Sequence, residues 1–370
     1  MNFLMTEEQV AIVDMAARVF ADFCGDEQIR EFWAGDAAYD EALWRSLRES
    51  GLTALILPEG QGGSSLGMTE LCAVLECQGR ALAPVPLWSH QLAVAALARL
   101  SADAPRRADW SELAEATRLA TLSLEGLHGS RGLMLHAENR ADGWHLRGRA
   151  VAVPLAEQAA VAVLPAQTPG GVRVFAFDLA QAGIARVGGR LTHHEPAADL
   201  VIDGLALPSG AALDEAALGW LSPRVTACLG ALQLGVSGEA LKRAVAYTSE
   251  RVQFGQPIAA FQAITQKTAD CLIDVEALRS ALWQLVWRLD GNLDAEGSAA
   301  VVRSWTCDTG HRVTHAAQHM HGGIGVDVSY PIHRYTYWSR AIEIATGGVS
   351  ASLEALGQWL ATPALTDADC

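Results

Sequence analysis

Apolar positions recur at three- and four-residue spacing from the start of the chain to about residue 115, and again from about 212 to 360. Val10, Ile12, Val13, Met15, Ala16, Val19 and Phe20 follow Thr6-Glu7-Glu8, which predicts a capped amphipathic helix. Leu43, Trp44 and Leu47 share one face of a second helix over 40–50, and a third, largely apolar, covers about 68–80. Between those two, residues 55–65 form a proline- and glycine-rich loop. The prolines at 84 and 86 interrupt the helical pattern, because proline cannot donate a hydrogen bond in a helix interior. From Leu119 to about Leu207 the texture changes to short apolar runs broken by Gly, Pro and Asp. Runs at 144–149, 159–164, 172–177 and 200–202 read as strands, with period-two alternation at Val172, Val174 and Ala176. Helical patterns return over 223–250, 259–290, 295–319 and 350–360, long enough for a four-helix bundle. The chain is therefore mainly α with a β part in the middle. It divides into an N-terminal helical domain (1–116), a middle β domain (117–210) and a C-terminal helical bundle (211–370).

Composition narrows the function. The 370 residues are half hydrophobic and 19% charged, with mean hydropathy +0.16, enough to bury a large core. No apolar run is long enough for a membrane span, and the start lacks a basic-then-apolar export leader. A net charge of -15 disfavours nucleic acid as partner, while leaving room for a phosphorylated cofactor held by a few local cations. Seven scattered cysteines without CxxC are expected to be free thiols in a reducing cytoplasm, and no metal site is expected.

Two stretches carry candidate chemistry. Arg251-Val-Gln-Phe-Gly-Gln-Pro-Ile-Ala-Ala-Phe-Gln262 puts a guanidinium, an aromatic ring and a glycine between two long helices. A guanidinium and helix-end N–H groups suit a pyrophosphate. Gln318-His-Met-His-Gly-Gly-Ile-Gly-Val-Asp327, followed by Tyr330-Pro331 and His333-Arg334, has glycines that permit close approach of a ligand to backbone. A surface ion pair and a helix-ending turn are the simpler readings of each stretch alone.

Together with Gly51-Leu52, Leu57-Pro58-Glu59, Gly62-Gly63 and Glu76 followed by Gly79-Arg80-Ala81-Leu82-Ala83-Pro84, these motifs resemble the acyl-CoA dehydrogenase family over nearly the whole chain. The resemblance implies its fold, FAD as cofactor and formation of a 2,3-enoyl-CoA. That chemistry needs a carboxylate base for the C2 proton and hydrogen bonds to the thioester oxygen. The two positions where the family carries its glutamate hold Thr346 and Pro223 here, and neither can act as a base near neutral pH. Glu343, three residues before Thr346, is a weak candidate. The places that touch the flavin ring in relatives read Leu124-Glu-Gly-Leu-His-Gly-Ser130 and Ala152-Val153-Pro154, which implies a poor ring pocket of its own.

The surviving motifs are those that, in the family, reach across a subunit interface to a neighbour's FAD. By the resemblance Arg251 and Phe254 face the pyrophosphate, Gln262 the adenosine side, and Gly322 and Gly323 the backbone contact, with either Gln318 or His319 beside them. The wording is similar to bacterial α2β2 enzymes acting on steroid side-chain CoA thioesters. This implies a subunit without the catalytic Glu, a partner subunit that carries it, an acyl-CoA substrate and an electron-transfer flavoprotein as acceptor. The alternatives are a self-sufficient homo-oligomeric dehydrogenase with an atypical base, or a flavin monooxygenase or oxidase on the same fold. Other groups read as structural. His311 and His315 have the spacing of metal ligands on a helix but suit packing or solvent, Trp283, Trp287, Trp305 and Trp338 suit core or interface, and His193-His194-Glu195, an acid/base cluster by residue type, suits a solvated loop.

Overall fold

A computed structural model describes residues 4–101, 107–128 and 132–361. Gly129, Ser130 and Cys370, which enter the sequence reading, lie outside them. The first helices are α1 (Glu7–Phe23), α2 (Asp26–Ala34), α3 (Glu41–Glu49), α4 (Met68–Ala81), α5 (Leu87–Leu100) and α6 (Trp110–Ala114). Thr6 caps α1 by accepting the Gln9 N–H at 3.2 Å, and the Gln9 side chain accepts the Thr6 N–H at 2.9 Å. The reciprocal pair satisfies two donors that the first turn leaves free. Asp40 caps α3 in the same way through the Leu43 N–H.

Seven strands follow: β1 (Ala120–Leu122), β2 (Leu135–Arg140), β3 (Gly143–Pro154), β4 (Val161–Thr168), β5 (Gly171–Asp178), β6 (Ile184–Arg190) and β7 (Pro196–Leu207). They pair in the order β1-β4-β2-β3-β7-β6, with β5 on the other edge of β4. β1 runs parallel to β4, and the long β3–β7 and β6–β7 pairs are antiparallel. No pairing joins β5 to β6 among the described residues, so the sheet is an open half-barrel.

The C-terminal helices are α7 (Ala217–Glu250), α8 (Gln262–Asp290), α9 (Glu296–Met320), α10 (Ile332–Ala345) and α11 (Val349–Leu360). α7 begins six residues before the pattern predicts, with Pro223 inside it. Pro223 has no N–H for the Gly219 carbonyl one turn back, and side chains of the same turn bond neighbouring carbonyls. Arg224 donates to the Trp220 carbonyl at 3.0 Å, and the Thr226 hydroxyl donates to that of Ser222. α10 is a helix the sequence reading does not assign. Its buried Ile332, Tyr335, Trp338 and Ile342 recur at helical spacing and pack it on α7 and α9. The six cysteines among the described residues are free.

His90 on α5 is fully enclosed, and its Nδ1 accepts the Ala120 N–H at 3.1 Å, joining α5 to β1. Burial holds its pKa down at about 4. Below the usual value of 6.5 the unfolded chain takes up a proton that the folded chain refuses. Stability is therefore full above pH 6.5 and falls as pH drops toward 4, by about 3 kcal/mol for this group. Denaturant melts between about pH 7 and 4 should show a shallower loss of stability for His90→Gln than for the native chain. Equal slopes would remove His90 as a source.

Candidate functional site

The chain between α7 and α8 folds back as a hairpin, β8 (Val252–Gln253) against β9 (Gln256–Pro257). Phe254 and Gly255 form its two-residue turn, both at positive φ (53° and 82°), the conformation that matches strand twist in a tight hairpin. Phe254 meets only Phe261, edge to face at 6.1 Å, among the described rings, and is 92% exposed. Arg251 ends α7 one turn after Tyr247, with its N–H on the Tyr247 carbonyl. Its exposed side chain has no hydrogen bond or ion pair among the described residues. Gln262 opens α8 and is exposed, and Phe261 before it supplies no side-chain cap, so the helix start keeps free N–H groups.

The second motif lies beside the first. Tyr247 stacks on His321 at 4.5 Å, which places the end of α7 against the end of α9. His321 leads into a 3-10 turn, Gly322–Val326, in which Gly322 has φ +62° and both Gly322 and Gly323 are exposed. Gln318 is spent internally: its amide donates to the Gly325 carbonyl at 2.9 Å and its oxygen accepts the Thr336 hydroxyl at 2.8 Å. His319 is exposed, with Lys267 Nζ 3.2 Å from its Nδ1. Of the two residues the sequence leaves open, His319 faces outward. Lys267, one of two lysines in the chain, is a basic group the sequence reading does not single out. Exposed Val252, Phe254, Leu272, Ile273, Val326 and Val328 accompany this basic surface. Scattered apolar residues are ordinary at a protein surface, but this many beside one motif suit an interface.

A cavity of about 280 Å³ lies elsewhere, where the N-terminal helices, the sheet, α7 and α10 meet. Val85, Trp88, Leu122, Val225, Leu229, Leu232 and Ile342 make it largely apolar. Ala152 and Pro154 line it from β3, and Leu124 and Glu125 from the turn after β1. The turn between β6 and β7 closes one side with Arg190, Thr192, His193 and Glu195. His193 and Glu195 are thus part of a cavity wall, and His194 packs on α2, so the stretch is not the solvated loop read from sequence. His193 packs edge-on against Trp338 at 4.8 Å, and its Nε2 lies 3.5 Å from Glu195. His194 stacks on Trp33 of α2 at 4.2 Å, and the Thr192 hydroxyl donates to the Tyr337 carbonyl. Contacts more than a hundred residues apart in sequence hold this turn, and no local pattern announces them.

Neither of the two expected base positions, nor Glu343, presents a carboxylate to the cavity. Thr346 is buried beneath α10, its hydroxyl on the Glu343 carbonyl and 3.0 Å from Cys307 Sγ. Pro223 lies within α7. Glu343 is on α10, but it is absent from the cavity wall and its carboxylate is held by Arg340 at 2.5 Å. The carboxylates on the wall are Glu125, which the sequence reading does not propose as a base, and Glu195, which it names only within an acid/base cluster by residue type. His128, near Ser222 at 3.3 Å, is driven down to about 4 by burial and by Arg303. Arg224, stacked over Trp220 at 4.4 Å, is lowered to about 10 by burial and by Arg99. His311 and His315 lie side by side at 4.3 Å on the exposed face of α9. No helix among the described residues is long and apolar enough to cross a membrane.

Comparison with known proteins adds independent findings. Residues 6–115 match the acyl-CoA dehydrogenase N-terminal domain, and residues 224–360 the C-terminal domain of the same family. The chain is 32% identical to Acyl-CoA dehydrogenase FadE27 of Mycobacterium tuberculosis, over 98% of this chain and 100% of that one. It is similar in structure to a chain of the ChsE4-ChsE5 complex from Mycobacterium tuberculosis, with TM-score 0.92 and 31% identity over 98% and 100% of the two chains. A chain from a single-substitution variant of the Tcur3481-Tcur3483 steroid ACAD superposes with TM-score 0.90 and 36% identity, covering 96% and 98%.

Proposed function

The chain belongs to the acyl-CoA dehydrogenase family, and from that premise we propose that it is the subunit of a heteromeric, FAD-dependent acyl-CoA dehydrogenase that lacks the catalytic glutamate. It completes the FAD site of a partner subunit. One observation carries this reading: the base positions hold Thr346 and Pro223, while Arg251, Phe254, Gly322 and Gly323 are exposed and the Arg251 side chain has no partner among the described residues. Similarity to chains of the ChsE4-ChsE5 complex and of the Tcur3481-Tcur3483 steroid ACAD supports both the partner and steroid side-chain CoA thioesters as substrates.

The outer surface fits the diphosphate-and-adenosine half of FAD. Arg251 offers a planar donor fork for phosphate, and the uncapped start of α8 adds N–H groups of the right polarity. Phe254 and Gln262 flank that position, and Gly322 and Gly323 leave the backbone open to close approach. Lys267 holds His319 through Nδ1, so the outward nitrogen of His319 is a donor. The cavity is a poorer match to the ring half, since Ala152 and Pro154 stand where relatives place flavin-touching side chains. When bound, FAD supplies the hydride acceptor for a 2,3-dehydrogenation. The partner's glutamate takes the C2 proton, and an electron-transfer flavoprotein is the proposed final acceptor.

The test is purification of the chain alone and together with its catalytic partner. The chain alone should show no flavin band and no turnover, and the pair should hold half the FAD of a homotetramer of equal size and be active. Stoichiometric FAD with activity in the chain alone would overturn the reading. In the active pair, Glu343→Gln should leave turnover within about twofold, because this carboxylate is paired with Arg340 and is absent from the cavity wall. Glu125 and Glu195 on the cavity wall give the self-sufficient alternative its one foothold. It requires Glu195→Gln or Glu125→Gln to abolish turnover by the chain alone.

A further inference from the structure

We propose that Lys267 is a positioning residue for the outer cofactor surface. By occupying Nδ1 of His319 it fixes the tautomer in which Nε2 carries the hydrogen, and so presents an N–H donor to the anionic half of FAD without touching FAD itself. The inference rests on the half-site reading above and deepens it.

The choice of partner is the first observation. The chain carries 42 acidic against 27 basic side chains, so a lysine has many carboxylates to pair with. Half-buried Lys267 pairs with none among the described residues, and its Nζ lies 3.2 Å from His319 Nδ1. An ammonium can only donate, so the ring nitrogen that faces it is the acceptor. In a neutral imidazole the other nitrogen then carries the hydrogen.

Placement is the second. Lys267 comes from α8 and His319 from the last turn of α9, and the two helices are fixed against each other. The Thr268 hydroxyl, next to Lys267, lies 3.6 Å from Sδ of Met320, next to His319. Farther along the same pair, the Thr309 hydroxyl donates to the Asp274 carbonyl at 3.1 Å, and Arg312 to the Asp274 carboxylate at 2.7 Å. The lysine is therefore held behind the ring by packing that does not involve it. His319 is exposed, and its Nε2 has no partner among the described residues.

The chemistry of an imidazole makes such a support useful. Gln318 is spent on Gly325 and Thr336, so His319 is the outward polar side chain of this turn, ahead of Gly322 and Gly323. With the opposite tautomer, Nε2 would turn a lone pair toward a diphosphate, acceptor against acceptor. A carboxamide at this place could rotate to offer its NH2 whatever lay behind it. An imidazole needs a second partner to select the donor, and Lys267 is that partner.

The test is a double-mutant cycle on the assembled complex, read as the rate of FAD release by flavin fluorescence. Working at about 0.5 M salt screens most through-space attraction between Lys267 and the diphosphate. Lys267→Met should speed release about 5- to 10-fold in the native background, the loss of one oriented hydrogen bond. In the His319→Gln background the same substitution should change release by less than about twofold, because the carboxamide needs no tautomer selected. Lys267→Arg, which still donates, should recover most of the native retention. Equal losses in both backgrounds would mean that Lys267 acts on the cofactor directly or through the fold, and no loss in the native background would mean that His319 works unaided. Either result overturns the inference. FAD held by the chain alone sinks the half-site reading, whereas a complex that loses FAD with Arg251→Ala but ignores Lys267→Met sinks only this one.

Discussion

Arg251→Ala should strip FAD from the assembled complex, weakening its retention by about 10- to 100-fold, while leaving the stability of the flavin-free chain unchanged. The size follows from the chemistry. A hydrogen bond to a charged group contributes about 1.5–3 kcal/mol, and a guanidinium forms two in parallel with a phosphate. The selectivity follows from the structure. Arg251 is exposed and has no partner among the described residues, so folding gains nothing from its charge. A side chain that is solvated and unpaired is worth within about 0.5 kcal/mol to stability. Arg251→Lys should recover part of the loss, since an ammonium keeps the charge without the fork. Flavin absorbance after gel filtration at rising salt reads the effect, and the native complex should lose affinity with salt more steeply than the alanine variant. Unchanged flavin content in Arg251→Ala would show that the exposed motif serves another purpose, and the proposed function would lose its main support.

The parts of this molecule that local chemistry determines are the parts the sequence discloses. The Thr6 cap, the prolines at 84 and 86 and the apolar face of α3 act within a turn or two, and the helices lie where those signals put them. The motif from Arg251 to Gln262 is similarly local, a tight hairpin between two helices. Failure sets in where long-range packing decides. β6 has almost no apolar alternation, because as an edge strand it is exposed on nearly every residue and forms only by pairing with β7. α10 hides its period among polar and aromatic residues and is defined by the helices it packs on. The cavity is the clearest case. His193, Trp338, Gln78 and Glu125 come from four regions of the chain, and only the assembled fold makes them neighbours. The division between Gln318 and His319 needed the structure too, since adjacent helix residues point in different directions and only one of them finds Gly325 and Thr336.

Gly235→Ala should be the most damaging small substitution in the bundle, and Gly238→Ala, one turn along the same helix, should have the opposite sign. α4 and α7 cross with their backbones in contact. A Cβ on Gly235 would lie 2.1 Å from the Glu76 carbonyl oxygen and 2.7 Å from the Arg80 nitrogen. A Cβ on Gly79 would lie 2.1 Å from the carbonyl oxygen of Leu232. These are backbone atoms of regular helices, so no rotamer change relieves the overlap and the helices must separate. Overpacking a tight core typically costs about 1–3 kcal/mol and occasionally more, and a rigid backbone contact belongs at the upper end. At Gly238 nothing lies within 4 Å. There the substitution only removes the helix penalty of glycine, a gain of about 0.5–1 kcal/mol. Thermal unfolding of the two variants should therefore diverge to either side of the native chain. The effect also reaches the cavity, because Gln78 on α4 and Leu229 and Leu232 on α7 are wall residues carried by the two helices that must part. Should Gly235→Ala melt with the native chain, the close crossing would not be what positions these helices. The cavity they enclose would then need another support.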